Sequence, residues 1–411
     1  MDTSFSPLAR RMIAGQLLVG MGNGLVIPSW FLFLDHVRGF GPGVAGASFA
    51  LRATGLLAAA LIAGWVMDRR GTRGVFLTGT VLTFIGAIGL GVFRWPELAL
   101  AASLAIGAGI GCTDPATRGI LLQSVPLSSR SRAATASFMM WNLGLGSGSL
   151  LGGLIADPLH PVTFEVLFIL LAILGLVTKV VYLPAMPRRR ATPQTTDDDE
   201  KARFILRPAF LCYLMLTLLL QLVGYGQANS GLPGMATIVL GVSPQIVGLA
   251  LAVNTMVILL TYPLVRRLSR GMRPAWSFGV VGLLWATGWV LMGLGALTGR
   301  SDLAADTLIG FYALFGIGEV LLAATASPLV ADLAPPGALG RYLGIDMFVR
   351  QISTALGPIM SAAFIASALV TPYLALCAGV CLLAVLVAVP LHRLLTGHDE
   401  SRVPDSRSVT T

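Results

Sequence analysis

Twelve stretches of this chain are apolar for long enough to cross a bilayer as helices, and this limits its fold more than any other feature. A helix needs about 20 apolar residues to span the hydrocarbon core. The runs fall at residues 14–34, 44–67, 75–93, 98–122, 133–156, 164–184, 208–230, 244–264, 275–297, 304–330, 342–368 and 373–394. In lipid every backbone N–H and C=O must be satisfied within the segment, so each run is expected to be a helix. The predicted fold class is an all-α membrane protein. Composition agrees: 55% of residues are hydrophobic and 11% charged, and the mean hydropathy of +0.81 excludes a soluble globular domain.

The charges that remain are topology signals. Of 28 Lys and Arg residues, Arg52, Arg118, Lys179 and Arg350 fall within runs; Arg38, Arg94 and Arg300 lie in loops on one side, and the other 21 lie on the side of the N-terminus. Cytoplasmic loops carry that excess, so both termini are expected in the cytoplasm and the chain in a bacterial-style inner membrane. The net charge of +9 resides in short loops, without the interleaved aromatics of a nucleic-acid site. Cys112, Cys212, Cys377 and Cys381 all lie in apolar runs, so neither disulfides nor a metal site is expected. With no nucleotide loop or nucleophile triad, no cofactor and no enzyme activity are expected.

The middle of the chain breaks the apolar pattern. Residues 185–207 include PRRRATPQTTDDDEKARF and read as a cytoplasmic linker between a six-helix bundle at 1–184 and another at 208–395; residues 396–411 read as a disordered cytoplasmic tail. The halves repeat at an offset of 209, which places Gly107 and Gly109 on Gly316 and Gly318, Pro126 on Pro335, Arg132 on Arg341 and Gly148 on Gly357.

Between the second and third runs stands GWVMDRRGTRG, Gly64 to Gly74. Gly64 permits close helix approach, Gly71 permits a tight turn, and Asp68 can pair with Arg69 or Arg73. This loop resembles the one between helices two and three of the major facilitator superfamily, with Gly64, Asp68, Arg69, Gly71 and Arg73 matching its pattern. Pro335 to Gly344, PPGALGRYLG, resembles that family's loop between helices ten and eleven. Gly148 to Gly153, GSLLGG, resembles the fifth-helix signature of its drug/proton antiporters, with Ser149 where the family carries proline; a close-packing glycine stripe is the other reading. The family often carries an Asp at the inner end of helix four. Here Gln123 stands there and the repeat carries Asp332, so Asp332 is expected to pair with Arg270 or Arg273 as a second conformational latch. The resemblance implies twelve helices in two pseudo-symmetric bundles working by alternating access.

A charge at the bilayer centre costs about 2.5–3.5 kcal/mol, so ionisable residues in the spans are candidates for function. Glu319 lies mid-helix with no cation beside it in sequence; a carboxyl there either alternates between charged and protonated forms, as a proton carrier must, or ties two helices together. Asp114 with Arg118, and Asp346 with Arg350, stand four apart on one helix face and form either passive couples or exchangeable switches. Asp35 and Arg52 could form an outer gate. Asn23, Trp30, Met139, Trp141, Gln221, Tyr225, Gln227, Asn229 and Asn254 offer hydrogen bonds among apolar and aromatic walls, as a cavity for neutral or cationic amphipathic molecules would, or bridge helices instead. The expected function is proton-coupled export of a drug-like or amphipathic small molecule by a monomer in the lipid bilayer. Proton-driven uptake of a sugar or small metabolite is the alternative, and a non-transporting receptor or scaffold the second.

Overall fold

The computed structural model describes residues 5–157, 160–183, 207–268 and 271–400. The predicted linker except Arg207, Arg270, and the tail beyond Glu400 lie outside these residues. All regular structure among them is helical. The helices are α1 (Pro7–Leu32), α2 (Pro42–Arg70), α3 (Thr72–Val92), α4 (Pro96–Gln123), α5 (Arg130–Ile155), α6 (Val162–Tyr182), α7 (Pro208–Val223), α8 (Pro244–Leu268), α9 (Pro274–Leu297), α10 (Ser301–Leu333), α11 (Leu339–Ala366) and α12 (Val370–Glu400). Proline begins α1, α2, α4, α7 and α9, where its fixed φ suits the first turn and its missing N–H has no partner to lose.

Ten of these helices are long and apolar enough to cross a membrane singly, and α1 makes an eleventh with the π-helical turn Phe33–Val37 that follows it. Within that span the segments Pro7–Ile27 and Ser29–Val37 meet at a bend of 43°. The seventh predicted span departs from a single helix over 208–230. The α-helix stops at Val223, and the chain continues through π turns at Gln227–Gly231 and Met235–Val239. Gly224, Gly226, Gly231, Pro233 and Gly234 are poor α-helix formers, which explains the early stop. At the other end α12 runs to Glu400, five residues into the segment expected to be disordered.

By packing, the chain forms two units, Met1–Thr195 with Val330–Ile352, and Thr196–Leu329 with Ser353–Thr411. In the first, α1 lies along α5 and α6, α4 against α2 and α3, and α3 against α6. Its core joins Trp30, Phe33, Leu90, Ile106, Phe164 and Phe168, with Phe33 stacked on Phe164 at 5.7 Å. In the second, α12 packs on α7 and α9. Large side chains on the outer faces are exposed, Leu154 to 76% and Leu260 to 68%, an arrangement that only a hydrocarbon surround stabilises.

Glycine sets how closely the helices approach. A Cβ on Gly148 in α5 would meet the Met21 carbonyl carbon and Cα of α1 at 2.8 Å, and Gly144 and Gly152 face α1 at Leu17 and Leu25. In the second unit the repeat partner Gly357 of α11 lies against Gly226, just past α7, with a Cβ 2.5 Å from its Cα. Likewise Gly107 of α4 lies on the Arg52 backbone of α2, and Gly316 of α10 lies on Asn254 of α8. The sequence repeat is thus a repeat of contacts: helix five on one and eleven on seven, four on two and ten on eight. This gives the glycines of GSLLGG a packing role. Gly148→Ala is expected to cost about 1–3 kcal/mol, because the obstructing atoms are backbone. Gly153→Ala, with nothing within 4 Å, should change stability by less than about 0.5 kcal/mol. Thermal unfolding of the purified variants measures the difference, and equal melting would remove close packing as the explanation.

Candidate functional site

Glu319 lies in α10, 5% exposed. Fourteen residues of α10 follow it and eighteen precede it, which places it near mid-helix. Asn254 Nδ2 of α8 donates to Glu319 Oε2 at 2.9 Å and to the Tyr312 carbonyl at 3.2 Å. The Tyr225 hydroxyl also donates to the Glu319 carboxylate. No Lys or Arg among the described residues pairs with Glu319. Around these groups stand aromatic rings: Tyr225 meets Phe315 at 5.5 Å and Trp285 at 6.2 Å, and Trp285 stacks on Phe315 at 4.7 Å. The Trp285 N–H donates to the Phe315 carbonyl at 3.1 Å, so this wall is hydrogen-bonded in place. The site is therefore a carboxyl held by two neutral donors and screened from water. That arrangement allows the charge to change without breaking an ion pair.

In the first unit the two i,i+4 couples form. Arg118 Nε lies 3.0 Å from Asp114 Oδ2, and Arg350 Nε donates to both Asp346 oxygens at 2.9 Å. Arg118 also reaches Asp346 Oδ2 at 3.7 Å, which links the α4 couple to the α11 couple. Asp346 is 1% exposed in its side chain, and these two guanidinium groups offset the cost of burying its charge. Pro115 lies inside α4 beside Asp114, where it removes one backbone N–H from the helix ladder.

Asp68 of GWVMDRRGTRG has different partners from those expected. Asp68 accepts from the Gly340 N–H at 2.7 Å, the Arg341 N–H at 3.0 Å and Arg341 Nε at 3.2 Å, all at the start of α11. Those are the first N–H groups of a helix, unsatisfied by the helix itself and favourable to a carboxylate. Arg69 instead stacks on Trp65, 4.1 Å from the ring centroid, and Arg73 forms no ion pair among the described residues. Gly64 and Gly340 meet with each Cβ position 2.6 Å from the other's carbonyl oxygen, so α2 and α11 touch at backbone level. Gly71 adopts φ 88°, the left-handed turn that separates α2 from α3.

Two further expectations are corrected. Asp332 pairs with Arg130 at 2.5 Å, while Arg273 faces His392 at 3.4 Å and Arg270 lies outside the described residues. Arg130 opens α5, and its Nε also donates to the Leu122 carbonyl of α4, which points it at the end of α10. The Asp35–Arg52 gate does not form: Asp35 contacts His36 at 2.9 Å, and Arg52 lies over Trp30 with its carbon 5.6 Å from the ring centroid. The π turn after α1 gives Asp35 a bearing other than the one a regular helix would give it.

Of the polar residues expected in a cavity, several tie helices together. Gln227 is fully buried, donates to the Leu222 and Gly357 carbonyls at 3.2 and 3.0 Å, and accepts from Tyr373 at 2.8 Å. Asn23 bonds its own helix at the Val19 carbonyl, and Trp30 donates to Ser48. Gln221 is buried, Met139 and Trp141 are half-buried along α5, and the Asn229 side chain lies outside the described set. Tyr225 and Asn254 belong to Glu319. The sequence did not bring out Arg130, Arg341 or the aromatic wall of Trp285 and Phe315. Arg341 had a signal, as the repeat partner of Arg132 inside PPGALGRYLG.

A model of the Major Facilitator Superfamily matches residues 12–296 and 240–410, nearly the whole chain. The chain belongs to the Major Facilitator Superfamily. Within that superfamily it is similar to the Multidrug resistance protein MdtH of Escherichia coli O9:H4 (strain HS), 26% identical over 357 residues covering 84% of this chain and 83% of the relative. MdtH of Photorhabdus laumondii subsp. laumondii is 24% identical over 361 residues, covering 84% of each. Among solved structures, the human organic anion transporter MFSD10 superposes with a TM-score of 0.70 at 16% identity, covering 93% of this chain and all of that one. A bacterial homologue of the iron transporter ferroportin, in an outward-facing state, gives 0.74 at 14% identity, covering 94% of this chain and all of that one. These likenesses establish the major facilitator fold, an all-α, multi-pass membrane architecture of transporters rather than enzymes.

Proposed function

We propose that this protein exports drug-like or amphipathic small molecules in exchange for protons, by alternating access of a central site. The observation that carries the reading is Glu319: a buried mid-helix carboxyl held by Asn254 and Tyr225, with no cation paired to it among the described residues. A group that must gain and lose a proton during a cycle needs that kind of setting, since a fixed salt bridge would hold it ionised. The MdtH relatives, named for multidrug resistance, support the choice of substrate. In this reading two six-helix halves act as a monomer in the inner membrane, with both termini in the cytoplasm. The contacts of Asp68, Arg130 and Arg118 with α10 and α11 break and re-form in each cycle.

The test is reconstitution into liposomes holding a pH-sensitive dye. Adding an amphipathic substrate to one side should draw protons from the other side toward it, with saturation in substrate. Counterflow in vesicles of known orientation then gives the direction. Saturable binding without any flux would leave a receptor. Saturable flux that no pH gradient alters would remove proton coupling.

A further inference from the structure

Arg52 stands ten residues into α2, roughly 15 Å along it at the helical rise, inside a membrane-crossing segment. Its Nε is buried without a hydrogen-bond partner, and no ion pair or hydrogen bond to it exists among the described residues. Three other arginines of this unit, Arg38, Arg118 and Arg350, are each answered by a carboxylate. Arg38 has Glu165 at 3.0 Å, the Gly91 carbonyl and the Phe33 ring; Arg118 has Asp114 and Asp346; Arg350 has Asp346. Asp35, the acid that could have served Arg52, is on His36. What Arg52 does have is the face of Trp30.

That contact fixes the guanidinium without using its in-plane N–H donors, which are the ones that match a carboxylate or phosphate fork. Trp30 is itself held by its N–H to Ser48 at 3.2 Å and packs against Phe49 at 5.5 Å, so an aromatic platform lies beside a cation that lacks its anion. An arginine kept within an apolar span without a counter-charge is costly, and a ligand that brings the counter-charge offsets that cost.

We propose that Arg52, seated on Trp30, binds the acidic group of an amphipathic organic anion, with the apolar body of the ligand against the aromatic side chains of α1 and α2. This rests on the transporter reading and narrows it: the cargo carries a carboxylate, sulfonate or phosphate, rather than being neutral or cationic as the polar residues alone imply. The same chemistry is offered by a free anion and by a lipid headgroup, and the test separates them.

The full-length protein in phosphatidylcholine nanodiscs is titrated with 2-naphthoate and with uncharged 2-naphthamide. Wild type should bind the anion about tenfold more tightly. Arg52→Gln should bind both alike, and Arg52→Lys, which keeps the charge but not the fork, should fall between. If the anion preference is absent but phosphatidylglycerol remains on wild type and not on Arg52→Gln in native mass spectrometry from mixed-lipid nanodiscs, the anion is a headgroup and the site stands. An anion preference undiminished in either folded variant, or no dependence of naphthoate and lipid on Arg52, overturns the proposal. Because binding needs no flux, this result is independent of whether Glu319 couples protons.

Discussion

In proteoliposomes, Glu319→Gln is expected to abolish substrate accumulation driven by the proton gradient while leaving substrate exchange across the membrane within about twofold of wild type. The two side chains have nearly the same shape, and Gln keeps an oxygen for Asn254 Nδ2 and the Tyr225 hydroxyl, so the local hydrogen bonds can persist. Only the exchangeable proton is lost. One proton moving down 100 mV supplies about 2.3 kcal/mol, which supports roughly a fortyfold substrate gradient at 1.4 kcal/mol per decade. Accumulation should therefore fall from roughly fortyfold towards unity, a loss far larger than a weakened hydrogen bond would give. The exchange measurement distinguishes an uncoupled transporter from a misfolded one. If the variant still accumulates substrate against a gradient, the coupling group lies elsewhere, and the Asp114–Arg118–Asp346 series becomes the next candidate.

The second large effect is expected at Asp68. Its carboxylate receives three N–H groups from Gly340 and Arg341, and hydrogen bonds to a charged acceptor contribute about 1.5–3 kcal/mol each against about 0.5–1.5 for neutral ones. Replacing Asp68 by Asn thus weakens the α2–α11 contact by about 3 kcal/mol, a shift of about a hundredfold in any equilibrium in which that contact opens. Leu343, 2% exposed and close to Gly119 of α4, reports on it. A cysteine at Leu343, with Cys112 and Cys212 changed to serine, should react with maleimide far faster when Asp68 is Asn. Arg130→Gln serves as the contrast, because Asp332 is half exposed and such surface pairs contribute about 0–1 kcal/mol. Equal labelling in the two backgrounds would show that Asp68 latches nothing.

How much of this was legible in the sequence follows from the range of each interaction. The helices follow from local composition, because lipid permits few other backbone arrangements, and their starts follow from proline. Couples four residues apart, Asp114 with Arg118 and Asp346 with Arg350, follow from helical geometry alone. The partners of Asp68 do not: Gly340 is 272 residues away, and two of the three N–H groups that meet the carboxylate are backbone, which every residue but proline carries. Asp332 went to the wrong arginine for a related reason. Opposite charges at loop ends are abundant here, and choosing Arg130 over Arg273 depends on packing that periodicity does not encode. Asn254 and Tyr225 read in sequence as hydrogen-bonding groups among apolar walls, but their convergence on Glu319 joins α8, α10 and the segment just past α7. The repeat at 209 residues proved more informative than its few identities imply, since the glycines it pairs occupy equivalent crossings in each unit.

The π turns that end the first helix, and those that follow α7, have a mechanical consequence. Each stores a surplus residue in a wider coil that keeps its N–H groups bonded. Rewinding such a turn to an ordinary α-helix displaces the surplus along the strand and swings the flanking side chains by about 100° about the axis. Either helix can therefore swivel its far end under lipid without baring a peptide group, and the pivots recur at corresponding places in the duplicated plan.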